Sequence, residues 1–459
     1  MSVDVTIVGG GPGGLAAAAA ALDAGLRPTL VDENHTLGGQ YLREPVTPAA
    51  RSLGAASGLA REVSELKRRA IGSPQLEAVA FDAGRDGIRV ARRGAISTLP
   101  PPAILAPGAT ERVVPMPGWT LPGVVSCGAA QALAKAFGVP VGASVVVAGS
   151  GPFLLAVACQ LMEVGARVVA VVEAGRPAPG LATGLIRDTG RLREAVSYLS
   201  RLAGRVPIMT RHAIVELRGG ESVQNAVIAR LDGDGRVRHG GHIRLRCDAV
   251  CLSDGFLPAT ELGELAGLGV RWDPHTHTWN LAADPLFGNT KIPNLHAVGA
   301  AVEPLGGAQL AAASGALAAY TLAKRLGAQL EPRAEARRAA AERDARRRLR
   351  FAGALRRAYR TRAEWYQRTL DDTIVCRCED VRAGEIREAA RDGIGDVNLV
   401  KRWTRAGMGL CQGRTCGATM CELVADATSR HPDEVGRLRP RPPLRPLPAA
   451  LLAADGGSL

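Results

Sequence analysis

Aromatic residues are scarce in this chain. Phe, Trp and Tyr make up 3 % of its 459 residues, and there are only 8 His and 6 Met. So thin a supply argues against an aromatic-rich β-sandwich core and leaves no stacking platform among the basic residues for a nucleic acid. Long apolar runs are also lacking. The most apolar stretch, residues 141–173, is broken by Gly149, Gly151, Pro152, Glu163 and Arg167, so it reads as a buried βαβ unit rather than a membrane span. The opening Met1-Ser2-Val3-Asp4-Val5 has no basic segment and runs into a strand, so no secretory leader is expected. Nine Cys do not read as a secreted disulfide framework. These absences favour a reducing, cytoplasmic setting, with association at a membrane surface left open. No P-loop and no Ser/His/Asp nucleophile framework is found.

Apolar residues reach 46 % and Gly numbers 55, which suits closely packed βαβ layers. The length allows two to four domains. A net charge of +13 suits an acidic partner or an anionic membrane, while nucleic acid is discounted.

The chain opens on a strand at 3–8, a glycine turn, a helix at 15–24 ended by Gly25, and a second strand at 29–32. Gly9, Gly11 and Gly14 form G-x-G-x-x-G, with Pro12 opening the helix. The first glycine allows the sharp turn, the second lets backbone approach a pyrophosphate, and the third lets helix and strand pack closely. Unpaired N–H groups at the helix start then face the phosphate. Asp32, followed by Glu33, ends the second strand where a ribose is to be held.

A related unit returns at 144–173. Gly149 and Gly151 repeat the turn, but Leu154 takes the third glycine position, where it crowds the helix–strand contact. Glu173 ends the next strand and suits a 2′-hydroxyl, so NAD or ATP is favoured over NADP if a nucleotide binds. Strands are also predicted at 212–217, 223–231, 236–246, 248–252 and 291–298, with Asp232–Gly235 as a tight hairpin and a small-residue helix over 309–326.

Domain boundaries follow. Residues 1–115 with 285–330 form the first dinucleotide domain, and 116–284 the second. Residues 331–370 are an Arg-rich helical linker, 371–425 a cysteine module, and 426–459 a Pro-rich, polyproline-like tail that wraps its own surface or a neighbour. The linker's arginines suit a solvated face or a docking surface for another subunit. His275 and His277 make H-x-H on a loop, read as a polar turn rather than a metal site.

In the cysteine module Cys376 and Cys378 are one residue apart, and Cys411 and Cys416 four apart. Two thiolate pairs brought together can hold an iron–sulfur cluster. C-x-C is too tight for a typical structural zinc site, and a disulfide is at odds with a reducing compartment. Cys421 is not needed. Cys127, Cys159, Cys247 and Cys251 form no close redox pair and read as small buried hydrophobes.

These motifs carry resemblances. Gly38-Gly39-Gln40 after Asp32, and Ile104 to Ala109 with Pro107 and Gly108, resemble the two-dinucleotide-domain flavoproteins that include glutathione and thioredoxin reductases. The resemblance implies FAD in the first site. That family carries Gly-Asp at its last strand, and here the pair is Gly299-Ala300. Ala300 cannot accept the hydrogen bond, so weakened or altered FAD binding is expected, and Glu303 is not assumed to substitute. The cysteine spacing resembles the bacterioferritin-associated-ferredoxin-like module, which implies a [2Fe–2S] cluster on a small α-rich domain.

Pro117 to Val124 and Thr404 to Arg414 complete a nearly full-length resemblance to the α-type subunits of opine oxidases, D-hydroxyproline dehydrogenases and hydrogen cyanide synthase. It implies that the chain is a FAD-dependent oxidoreductase subunit. It also implies a β subunit of D-amino-acid-oxidase type with its own flavin, which oxidises a C–N bond. A quinone or respiratory acceptor and a small third subunit belong to the same picture. A stand-alone NADH-dependent reductase and a largely non-catalytic assembly subunit remain alternatives.

Overall fold

The computed structural model describes residues 5–53, 65, 68, 74–175, 188–238 and 240–454. The predicted start of the first strand, Val3 and Asp4, lies outside them. The strand itself, Val5–Val8, is wholly buried and pairs in parallel with Pro28–Val31 on one side and Ala103–Leu105 on the other. Leu295–Ala297 completes this four-stranded parallel sheet. Strands covered on both faces read as continuous apolar runs, which is why Val5–Val8 does not alternate.

The helix Pro12–Asp23 carries six Ala among its 12 residues, and it packs against the small-residue helix Gly307–Arg325. Contact is close enough that a Cβ on Gly315 would stand 2.0 Å from the Gly13 carbonyl oxygen. Small side chains, rather than aromatics, fill this layer.

The second sheet is also parallel, in the order Ile208–Thr210, Arg167–Glu173, Ser144–Gly149, Ala249–Ser253, Val124–Ser126. Two antiparallel three-stranded sheets flank the pair. One joins Ala78–Gly84, Gly87–Arg92 and Ala95–Leu99, a region where the sequence pattern predicts no strand. The other joins His212–Gly219, Val223–Arg230 and Ile243–Arg246. The strand expected over 236–246 is therefore only four residues long. Asp232 Oδ1 accepts the Asp234 and Arg236 N–H groups, and backbone bonds from Asp232 N–H to the Arg236 carbonyl and from Arg238 N–H to the Arg230 carbonyl close the turn beside a bridge between Leu231 and Val237. The strand expected over 291–298 shortens to Leu295–Ala297.

The Arg-rich segment is one 27-residue helix, Pro332–Ala358, followed by a 3₁₀ turn at Ala363–Arg368. Ion pairs at i,i+3 and i,i+4 run along it, such as Arg338–Glu342 and Arg348–Asp344. Arg368 ends the turn in a buried pair with Asp254 at 2.8 Å. Losing one partner of such a pair costs roughly 3–5 kcal/mol, so this contact pins the linker to the second domain.

The cysteine module has its own core, in which Val375, Ile386, Val400, Met420 and Val424 surround Cys376 and Cys416. It is fastened on several sides. Trp119 Nε1 donates to the Ile374 carbonyl at 2.6 Å, and Thr369 Oγ1 to the Pro115 carbonyl at 2.6 Å. His277 Nδ1 lies 2.7 Å from Glu422 Oε1, so the H-x-H turn is a docking point for the module.

The tail lies on the chain's own surface. Leu444 is buried in the core that holds Val90 and Leu99, and its N–H donates to the Phe81 carbonyl. Arg445 pairs with Glu33, and Gln412 and Arg414 donate to the tail carbonyls of Pro443 and Leu444.

Candidate functional site

Both glycine turns are built by close approach. Gly9 has φ +104, and a Cβ there would stand 2.1 Å from the Ala106 carbonyl oxygen. A Cβ on Gly14 would stand 1.8 Å from the Gly9 carbonyl oxygen. Gly11 differs. A Cβ on it would meet only Gly39 Cα, at 4.0 Å, so the space above Gly11 is open. Asp32 closes the turn from below: its Oδ2 accepts the Gly10 N–H at 2.5 Å and its Oδ1 the Asn34 N–H at 2.7 Å. Asp32 thus orders the loop, and the neighbouring Glu33 faces Arg445 of the tail.

In the second turn Gly149 has φ +141 and sits against the Ser253 carbonyl. Leu154 is fully buried in the helix–sheet core, where the first turn has Gly14. Glu173 Oε2 accepts the Gly151 N–H at 2.8 Å and Oε1 the Gly175 N–H at 2.7 Å. Burial pushes its pKa from 4.5 up to about 7, against those N–H donors. The folded value exceeds the unfolded one. The stability this carboxyl adds is therefore complete below pH 4.5 and lost as pH rises through 7. Relative to Glu173→Gln, wild-type unfolding free energy is expected to fall by on the order of 3 kcal/mol across that window. Urea unfolding of both proteins from pH 4.5 to 8 checks this, and a pH-independent difference contradicts it.

One cavity of about 2660 Å³ joins the two turns. Drug-sized sites run to roughly 1,000 Å³, so there is room for more than one dinucleotide. Gly11, Pro12, Gln40, Gly108, Gly299 and Ala300 line one end, and Gly151 and Glu173 the other. Gly39 lies under the loop, its Cα facing Gly11. Arg43, Arg193 and Arg377 also line the walls, together with Arg191, Arg347 and Arg348, which pair with Glu194, Asp344 and Asp188. Glu303 turns away and forms an ion pair with Arg356 of the linker helix, so it is committed elsewhere.

Two wall residues lie outside every motif of the sequence. Glu111 accepts the Gly128 N–H at 2.6 Å, and burial raises its pKa. Lys135 donates to the Tyr41 carbonyl, and burial lowers its pKa to about 8. No local signal marks either of them.

The four module cysteines stand as two pairs. Cys416 hydrogen-bonds to Cys376 and, with the Gly407 N–H at 3.5 Å, holds it well below the usual thiol value, at about 5. Cys378 accepts from the Cys411 backbone and meets its thiol. The N–H groups of Gly413 and Thr415 point at Cys411. Gly409 is required, since a Cβ there would stand 2.1 Å from Cys378 Cβ. Among the described residues no group of three or more His, Cys, Asp or Glu side chains is placed around a single ion. Two sulfur pairs with N–H donors aimed at them fit a two-iron cluster, in which each iron takes two thiolates. Cys127 and Cys251 lie in the second domain's core, and burial raises both thiols. Cys421 donates to the Pro432 carbonyl.

The cysteine loops reach the cavity. Arg377 and Thr415 line it, and the Arg377 guanidinium lies 5.2 Å from the centre of the Trp119 ring.

Residues 3–316 match the pyridine nucleotide-disulphide oxidoreductase model, and residues 371–456 the sarcosine oxidase A3 domain. The chain is 30 % identical to the HcnB subunit of hydrogen cyanide synthase from Pseudomonas protegens, over 98 % of this chain and 97 % of that one. It is 32 % identical to the A-type subunit of opine oxidase from Agrobacterium tumefaciens, over 98 % and 91 %. The chain belongs to this family of opine oxidase and hydrogen cyanide synthase oxidoreductase subunits. L-proline dehydrogenase from P. horikoshii shares the fold, with a TM-score of 0.67 at 21 % identity, covering 98 % of this chain and 79 % of that one. Thioredoxin reductase from T. acidophilum shares the two-domain part, with a TM-score of 0.52 at 18 % identity, over 71 % of this chain and 99 % of that one. The family is thus a two-dinucleotide-domain fold with a C-terminal module. Among the described residues no helix is long and apolar enough to cross a membrane.

Proposed function

We propose that this chain is the electron-relay subunit of a hetero-oligomeric dehydrogenase whose flavin-bearing β partner oxidises an amino or imino acid. Opine and D-hydroxyproline are the substrate classes in view, and a quinone or respiratory carrier the acceptor. Gly9, Gly11, Pro12, Gly14, Asp32, Gly39, Gln40, Gly108 and Gly299 hold FAD, and Cys376, Cys378, Cys411 and Cys416 hold a [2Fe–2S] cluster. Bound there, these groups supply two-electron and one-electron redox chemistry.

The observation that carries this reading is the shared wall. Arg377 and Thr415, each beside a module cysteine, line the same cavity as Gly11 and Gln40. The chain's own residues have plain tasks. Open space over Gly11 admits a diphosphate, and the helix start behind it presents N–H groups. Arg43 and Arg193 on the wall offer charge to a phosphate. Loop N–H groups at Gly407, Gly413 and Thr415 stabilise thiolates. Burial raises the pKa of the Glu111 carboxyl on the cavity wall, and the carboxylate that Ala300 lacks is not replaced by Glu303.

The second site supports NAD or ATP through Gly149, Gly151 and Glu173, with Leu154 barring the closest approach. Anoxic mixing of the purified complex with an opine or D-hydroxyproline tests the proposal: visible absorption of this subunit bleaches with substrate and not with NADH. Rapid bleaching by NADH alone selects the stand-alone reductase. A complex in which this chain holds no flavin selects the assembly role.

A further inference from the structure

The cysteine module has two sides. Its inner side meets the cavity through Arg377 and Thr415. Its outer side shows large apolar side chains to water: Leu399 is 50 % exposed, Trp403 73 %, Met408 40 % and Leu410 79 %. Leu399 and Trp403 are four residues apart on the helix Val397–Thr404, so they share a face. Met408 and Leu410 flank Gly409, which packs on Cys378, and Leu410 precedes Cys411. Cys378 is itself exposed. Arg402 is exposed on the same stretch, as is Arg405, whose Nε pairs with Glu379 Oε2 at 2.9 Å.

Single exposed hydrophobes are ordinary, but four large ones within residues 399–410 concentrate apolar surface on one stretch of the module. Trp, Met and Arg are the residue types enriched at interface centres. In a chain so poor in aromatics, a tryptophan left this open is costly unless something covers it.

We infer that this face docks the flavin-bearing partner, with Trp403, Met408 and Leu410 as an apolar centre and Arg402 as a basic rim charge that meets an acidic side chain. The inference rests on the function proposed above. Three observations select the occupant. The rim is positive, so its complement is acidic. A second copy of the chain would set arginine rim against arginine rim in a two-fold contact. The exposed Cys378, against which Gly409 packs, puts one end of the cysteine loops beside Met408 and Leu410, within reach of a redox partner.

The test uses the complex isolated through a tag on this chain. Its flavin-bearing component is separated with salt and titrated back onto wild-type and variant chains. Trp403→Ser with Leu410→Ser is expected to weaken rebinding about 30-fold or more, the size of an interface hot spot. Arg402→Glu is expected to slow association about tenfold at low salt, with less effect at high salt. Leu326→Ser, an exposed apolar control elsewhere, leaves both unchanged. Iron content and thermal melting establish that each variant is folded. Wild-type affinity in the double variant overturns the inference. So does a double variant that loses only self-association or binding to phosphatidylserine vesicles, and so does the absence of any flavin-bearing component. The titration reads complex formation rather than turnover, so a wild-type chain without iron would end the functional reading while leaving the docking result legible.

Discussion

Cys416→Ser is expected to empty the C-terminal module of iron and to stop substrate-driven electron transfer. Cys416 is buried in the module core and hydrogen-bonded to Cys376, so its loss removes one member of a sulfur pair. Iron should drop from about two atoms per chain to near zero, with loss of visible absorption. Turnover with an artificial acceptor should fall by more than the roughly 100-fold that changes around metal ligands cost. Cys421→Ala is the matched control, because that thiol is also buried in the module but donates to the Pro432 carbonyl. It should keep its iron. Metal analysis and absorption of both variants decide the point. Iron retained in Cys416→Ser, or lost in Cys421→Ala, would put the ligand set elsewhere.

Gly11→Val is expected to strip FAD from an otherwise folded protein. The position has φ −73, which any residue adopts, and a Cβ meets nothing closer than 4.0 Å. Valine therefore fits the empty turn but fills the path of a diphosphate. Overfilling of this kind costs about 1–3 kcal/mol, so FAD affinity should fall about 10- to 100-fold with melting temperature of the flavin-free protein unchanged. Gly14→Ala should behave in the opposite way. Its Cβ would stand 1.8 Å from the Gly9 carbonyl oxygen, so helix and strand must separate and the fold itself weakens. Flavin titration by fluorescence quenching, paired with thermal melts, separates the two. Full FAD affinity in Gly11→Val would place the flavin in another site.

The first βαβ unit is legible in the sequence because its signals are local: an apolar run, glycines at fixed offsets and an acid at the strand end. The duplicate at 144–173 is legible for the same reason, including the departure at Leu154. Short-range patterning cannot locate the sheet formed by residues 78–99. Its residues include Arg85, Asp86, Arg89, Arg92 and Arg93, and it gains part of its core from Leu444, more than three hundred residues away. The linker is visible as helical, but the single 27-residue span depends on its ion pairs and on its contacts with Gly307–Arg325.

Long-range pairs are the least legible part of the site. Glu33 looks like a ribose ligand by position, yet it faces Arg445 of the tail. Glu303 cannot be judged from spacing, since its partner Arg356 lies on another element. Trp119 belongs to a recognisable motif, but its contact with Arg377 arises only when the module folds back on the second domain. Exposed Trp403 and Leu410 carry no marker in the sequence, because exposure is a property of the assembled fold.

Anoxic purification followed by iron and acid-labile sulfide analysis addresses the centre of the account. About two of each per chain, with the electron paramagnetic resonance signal of a reduced [2Fe–2S] centre after dithionite, is the expected result. A chain that carries one zinc, or no metal and no sulfide, would contradict it.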